Sequence, residues 1–184
     1  MITLEIIEDC KKGRHQAQRK LFDFFSGPLY SLCLRYMNDE AEAEDMVSQA
    51  FTRIFRAIGA FEYHNMAGLR AWIKRIAVNE CLMRLRRVTN FSLISLEDDE
   101  AVPYHDDALG RIEAEYIFTM LRELPPGYRT ILNLYAIEGY THPEIAEILG
   151  IHEGTSRSQL NKARKLMKEK LLRHDKSQHG KRKI

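Results

Sequence analysis

The chain has 184 residues, with 28 Lys and Arg against 26 Asp and Glu, for a formal net charge of +2. Its 45% hydrophobic and 29% charged residues fit one or two small folded domains and exclude a disordered chain. No apolar run approaches the roughly 20 residues that span a bilayer, and Met1 to Cys10 carries acids where a signal peptide needs a basic start, so the expectation is a cytoplasmic protein without membrane insertion.

The near-neutral total hides a segregation along the chain. Residues 1–87 hold 14 basic and 11 acidic side chains, residues 88–118 hold 1 and 8, and residues 119–184 hold 13 and 7. An acidic stretch therefore separates two basic modules, a pattern that points to charged partners. Each module would have a modest core and would draw part of its stability from a partner.

From Ala17 the apolar residues recur at helical spacing: Ala17, Leu21, Phe24, Phe25, Leu29, Leu32, Cys33 and Tyr36. Gly27-Pro28 is expected to break or kink this segment, because proline lacks the amide donor and its ring clashes with the preceding turn. Asn38 reads as an N-cap, with Asp39, Glu40 and Glu42 favouring the positive end of the next helix. That helix should bury Ala43, Met46, Val47, Ala50, Phe51, Ile54, Phe55 and Ile58 and end at Gly59. Residues 60–68 read as a loop rich in rings, and a third helix runs from about Leu69 to Arg87 with Leu69, Trp72, Ile73, Ile76, Ala77 and Leu82 on its apolar face.

Residues 88–105 lose helical periodicity and contain Glu97-Asp98-Asp99-Glu100 and Pro103, which reads as a linker. Fully extended, a stretch of that length reaches roughly 60 Å. Helical patterning resumes near Asp106 and runs to Leu124, and Pro125-Pro126-Gly127 interrupts it. Another helix follows from about Tyr128 to Ile137, closed by Gly139.

Thr141 and Glu144 have the spacing of a capping box, Gly150 that of a helix-ending turn, and a longer basic helix follows from about Gly154 to Arg173. Short helix, glycine turn and basic helix form the pattern of a DNA-reading helix-turn-helix. On the second helix Ser156, Leu160, Ala163 and Met167 share one stripe, whereas Thr155, Arg157, Ser158, Asn161, Lys162 and Lys165 are expected on the other side. Arg and Asn have the donor geometry to read guanine and adenine edges, and lysines suit phosphates. Residues 154–184 carry 11 basic and 2 acidic side chains, ending in a basic tail over 176–184.

Catalytic and metal signals are absent from the sequence. Cys10, Cys33 and Cys81 form no CxxC pair, the seven histidines show no HxxxH or HExxH spacing, and there is no GxxxxGK[ST], GxSxG or GxGxxG. Cys33, on an apolar helical face, reads as a buried inert thiol. The expectation is no enzyme, no cofactor and no metal.

Three stretches carry a resemblance over almost the whole chain: EAEDMVSQAFTRIFRAI (42–58), LRAWIKRIAVNECLMRLRR (69–87) and LRELPPGYRTILNLYAIEGYTHPEIAEILGIHEGTSRSQLNKARKLM (121–167). In this order they resemble a bacterial RNA polymerase sigma factor of the extracytoplasmic-function type. The resemblance implies an all-α protein of two small helical domains joined by the acidic linker. Residues 1–87 would bind the polymerase clamp and melt the minus-ten element, and residues 106–175 would read the minus-thirty-five element. Core RNA polymerase and promoter DNA would be the partners, and many members are held inactive by an anti-sigma protein wedged between the domains.

By this similarity Asp45, Ser48, Gln49 and Arg53 would contact polymerase. Asn79 would contact a minus-ten base, with Lys74, Arg75, Arg84, Arg86 and Arg87 on the phosphates. The loop residues Phe61, Tyr63, His64, Asn65 and Met66 would hold a base flipped from the duplex, while Trp72 reads as core. Thr155, Arg157, Ser158, Asn161, Lys162 and Lys165 would meet the minus-thirty-five element. The chain departs from the family pattern where Ser48-Gln49 replaces a common Gln-Glu, Ser156 a usual valine and Gln159 a usual arginine; its ring-bearing loop also looks slightly longer. The acidic linker is suited to imitate a polyanion in a basic channel of the polymerase. Two other readings need features of their own: a homodimeric helix-turn-helix regulator a palindromic site, and a DNA-processing enzyme a nucleophile or metal carboxylates.

Overall fold

The computed structural model describes residues 2–88 and 114–181. Among them every regular element is helical. The acidic joint, including Glu97 to Glu100, and the first part of the helix expected from Asp106 lie outside the described residues. The chain divides into two compact units, Met1–Leu85 and Arg86–Ile184.

The first unit opens with a helix that the periodicity alone did not reveal. Helix α1 spans Leu4–Lys11, its N-terminus capped by the Thr3 hydroxyl, which accepts from the Ile6 amide at 3.4 Å. Ile7 and Cys10, three apart and so on one face, are buried. Burial pushes the Cys10 thiol up to about 11, with the neighbouring Asp9 charge adding to the shift.

Helix α2, His15–Met37, runs through Gly27-Pro28 without a break. Proline removes one ladder donor, but burial on both sides of it outweighs that loss: Leu21, Phe25, Leu29, Leu32, Cys33 and Tyr36 all lie in the core. Each such side chain contributes about 1.5–3 kcal/mol. Phe24 is the exception among the expected core residues, at 37% exposure, with the Arg70 guanidinium 5.8 Å from its ring centre.

Asn38 ends α2 instead of starting the next helix. It adopts the left-handed conformation at φ 62° and its amide donates to the Leu34 carbonyl. Asparagine tolerates that conformation better than most residues, so the same chemistry suits either side of a turn. The N-cap of α3 (Glu40–Ala57) is Asp39, whose carboxylate accepts from the Glu42 amide at 2.8 Å.

The expected α3 core is buried except for Phe55, which is half-buried and, with Phe22 and Phe51, lines a groove of about 620 Å³ between α2 and α3. A 3-10 turn, Ile58–Ala60, contains Gly59. Helix α4, Met66–Val88, begins three residues before the expected Leu69 because Asn65 caps it, its side-chain carbonyl accepting from the Gly68 amide at 2.8 Å. Its buried face holds Leu69, Ile73, Ala77 and Leu82, and adds Val78, Cys81, Leu85 and the carboxylate of Glu80.

The second unit is built on α5 (Ala114–Arg122), α6 (Pro126–Leu132), a π-helical turn (Asn133–Ile137), α7 (His142–Leu149) and α8 (Glu153–Lys181). Arg129 is buried and donates from one terminal nitrogen to the Arg122 carbonyl at 2.8 Å and the Leu124 carbonyl at 3.0 Å, closing the end of α5. Gly139 and Gly150 take the left-handed conformation at φ 81° and 68°, as expected of helix-ending residues. The capping box forms: the Thr141 amide donates to the Glu144 carboxylate at 2.8 Å, and the Glu144 amide donates back to the Thr141 hydroxyl. Leu121, Leu124 and Ala163 form one core cluster with Tyr128, Leu132, Leu166 and Met167 packed against it. Helix α8 continues eight residues beyond the expected Arg173.

Candidate polymerase and nucleic-acid interfaces

Helix α3 buries one face and offers another. Asp45, Ser48 and Gln49, at i, i+3 and i+4, are exposed and form a stripe one turn long. Arg53, one turn further, is also exposed but is committed inward: its guanidinium pairs with Glu80, which is only 4% exposed on α4, and reaches Met83 Sδ at 3.6 Å. A second brace joins the same helices, Arg84 donating to Glu42 at 2.6 Å. Neither brace follows from sequence spacing. Buried Glu80 was the available signal, since a glutamate on an apolar face needs a cation.

These braces sort the basic residues of α4. Arg84 faces α3, and Lys74 is half-buried. Arg75, Asn79 and Arg86, at i, i+4 and i+11, fall on one exposed stripe, with Arg87 exposed beside it. Such a stripe offers guanidinium forks for phosphates and an amide for a base edge.

The loop before α4 is partly committed to structure. Phe61 stacks on Trp72, ring centres 4.5 Å apart and planes at 26°, and both rings are half-buried. Trp72 is thus a lateral support for the loop more than a core residue. Asn65 is occupied in capping, and Met66 is half-buried in the first helical turn. Tyr63 is half-buried and His64 exposed, its Nε2 3.9 Å from the Glu62 carboxylate. Of the five loop residues, Tyr63 and His64 are the ones this geometry leaves to meet a ligand.

In the second unit, α8 presents Arg157, Asn161 and Lys165, at i, i+4 and i+8, on one exposed stripe, flanked by half-buried Ser158 and Lys162. Thr155, expected on this face, is 8% exposed and points inward. It sits a half-turn from Arg157, which puts it beside Ser156 on the packed side. The Ser158 hydroxyl donates to the Thr155 carbonyl at 3.1 Å. Arg157 is held by Glu153 one turn earlier, Nε to carboxylate 3.0 Å. Gln159 is buried as well, and neither atom of its amide has a hydrogen-bond partner among the described residues.

Between α7 and α8 lies a contact that sequence spacing did not reveal. His142 Nδ1 is 2.9 Å from the Ser156 hydroxyl, and the ring stacks on Tyr135 with centres 4.6 Å apart. Burial and the nearby Arg157 hold this imidazole below its ordinary value. In the first unit Cys33 and Cys81 are wholly buried, and a hydrogen bond between them together with burial holds the Cys81 thiol far above its ordinary value, so Cys81 stays a thiol at neutral pH.

The family model described as Sigma-70 region 2 matches residues 21–90, and that described as Sigma-70, region 4 matches residues 114–167. The ECF RNA polymerase sigma factor SigM of Mycobacterium tuberculosis is 31% identical over 161 residues, which cover 87% of this chain and 80% of the relative. This chain belongs to the ECF sigma factors of the sigma-70 family. The ECF sigma factor SigW of Bacillus subtilis is 28% identical over 188 residues, covering 93% of this chain and 97% of that one. The sigma factor RpoE of Bartonella quintana, solved in complex with the anti-sigma factor NepR, shares the fold at a TM-score of 0.50 and 22% identity, over 83% of this chain and 95% of that one. In sigma-factor terms, α2 to α4 form region 2 and α5 to α8 form region 4. Sigma factors confer promoter specificity on RNA polymerase and are initiation factors, not enzymes.

Proposed function

We propose that this sigma factor binds core RNA polymerase through the exposed α3 stripe of Asp45, Ser48 and Gln49, in the cytoplasm. It then directs the enzyme to promoters that it reads at two elements. Arg75, Asn79, Arg86 and Arg87 of α4 track the minus-ten strand, with Tyr63 and His64 receiving an extruded base. Unstacking a base costs a few kcal/mol, which these stacking and phosphate contacts offset. Arg157, Asn161 and Lys165 of α8, aided by Ser158 and Lys162, read the minus-thirty-five duplex.

The observation that carries this reading is the pair of exposed donor stripes, one in each sigma region, each built from arginine and asparagine one helical turn apart. Arg53 and Arg84 act mainly within the protein, bracing α3 to α4. An anti-sigma protein is a further expected partner, as found for the Bartonella relative.

The test is transcription. Purified chain is mixed with core polymerase and a promoter library, and run-off products are sequenced. Start sites sharing a minus-ten and a minus-thirty-five sequence are the expected result, and Asn79→Ala should relax the minus-ten preference. Dimeric binding to palindromic duplex by the chain alone, with no promoter-specific transcript, would overturn the proposal.

A further inference from the structure

The two helices of the helix-turn-helix meet at a polar joint. His142 is the first residue of α7, and its Nδ1 lies 2.9 Å from the Ser156 hydroxyl in the opening turns of α8. Ser156 has no exposed surface. The imidazole is also stacked on Tyr135 of the π-helical turn, at 4.6 Å and 24°, and the Arg164 guanidinium lies 5.5 Å from that tyrosine ring. A valine would hold this position by dispersion and be indifferent to pH. A serine bonded to histidine makes the same joint depend on a group that titrates near neutrality.

We infer that His142 and Ser156 form a protonation-sensitive joint that positions the recognition helix, so that promoter selectivity falls as the pH drops. The selectivity clause rests on the promoter-reading role proposed above; the joint itself does not. The groups facing the ring are Tyr135 from the π-helical turn and Glu153, Arg157 and Arg164 from α8. On its own element, the Glu144 carboxylate is already bonded to the Thr141 amide and hydroxyl. Two arginines against one glutamate make the site hostile to a third positive charge. Burial and Arg157 lower the affinity of the ring for a proton, Glu153 opposes them, and Arg164 adds to the lowering.

The sign follows. The folded ring titrates below the ordinary imidazole value of 6.5, so the joint is intact above that pH. As the pH falls below it, the unfolded chain takes up the proton more readily than the folded one, and stability is lost. Protonation makes Nδ1 a donor whatever the neutral tautomer, so the Ser156 hydroxyl can only accept from it, and that contact then holds a cation beside Arg157 and Arg164. The reading stripe is carried by the turns that begin at Ser156, so a loosened joint displaces Arg157 and Asn161 together. Phosphate attraction, which needs no register, persists.

The experiment follows the full chain by NMR between about pH 8 and pH 5, the range in which imidazoles change charge. His142 should titrate below the ordinary value, and the backbone amides of residues 153–158 should move with the same midpoint. In His142→Asn, which keeps a neutral hydrogen-bonding group near the Nδ1 position, those amides should stay still. If that variant does not fold, Ser156→Val serves instead and should separate the histidine titration from α8. An ordinary midpoint, or α8 amides that ignore it, overturns the joint.

A second arm measures promoter selectivity of the assembled holoenzyme, as the ratio of binding to an intact and a scrambled minus-thirty-five element. The wild-type ratio should fall roughly fivefold across the range, the effect of one hydrogen bond ceasing to contribute, and the His142→Asn ratio should not. Equal falls in both overturn the link to selectivity. No selectivity at any pH, with the shared titration present, overturns the promoter-reading role and leaves the joint standing.

Discussion

Arg53 shows how far one side chain can shift between roles once its neighbour is known. On the sequence it is a cation beside the stripe proposed to contact polymerase; in the fold it compensates the nearly buried carboxylate of Glu80. Removing one partner of such a pair leaves a charge without its counterion in low-dielectric surroundings. Arg53→Ala should therefore lower the unfolding free energy by about 1–3 kcal/mol, at the low end because the arginine end is half in solvent. Urea denaturation of the full chain checks this, and an unchanged midpoint refutes it. Gln159 presents the opposite case. Its amide is buried with neither atom hydrogen-bonded among the described residues, a placement that costs stability in a packed core. Gln159→Leu should raise the stability of the second unit by about 1–2 kcal/mol, and a lowered melting temperature would contradict that.

Single elements carry their own expectations. Gly27 lies inside α2 directly before Pro28, whose ring crowds a preceding Cβ in helical backbone. Gly27→Ala should therefore lack the gain of about 0.5–1 kcal/mol that this exchange brings in an ordinary helix interior, and the melting temperature should not rise. In α7 the backbone and side-chain hydrogen bonds from Thr141 hold the Glu144 carboxyl below its ordinary value of 4.5. A lowered carboxylate value means a contribution present above 4.5 and lost as the pH falls through the folded value. Circular dichroism of Glu144→Gln against the parent should converge in acid and separate above that pH.

The helices themselves were legible because their apolar residues recur at helical spacing over several turns. Ala43, Met46, Ala50 and Ile54 needed no partner to be read, and Thr141 with Glu144 announced a cap by spacing alone. What escaped were features decided by contacts distant in sequence. Helix α1 is only two turns long, too short for periodicity to speak. Pro28 signals a break because propensity is local, whereas the core on both sides of it is not. The inward position of Thr155 is not legible, since a helical wheel gives directions but not the width of the buried face. The His142 to Ser156 contact spans a turn, and no periodicity connects its two residues.

Over the whole molecule, charge is divided by segment: the net +9 of residues 154–184 and the net +3 of residues 1–87 are offset by the net −7 of residues 88–118. Replacing Glu97, Asp98, Asp99 and Glu100 by their amides should weaken binding to core polymerase or alter transcript yield without changing the melting of either unit. Unchanged affinity and unchanged output would reject a polymerase-facing role for that stretch. The two braces between α3 and α4 bear on accuracy. Arg53 to Glu80 and Arg84 to Glu42 fix the helix proposed to hold the enzyme against the helix proposed to read the DNA. Packed helices behave as a stiff body. On the proposed reading, an offset at Ser48 is therefore felt at Asn79. The first unit would then work as a jig, in which the grip on the enzyme and the grip on the DNA are set together and neither adjusts alone.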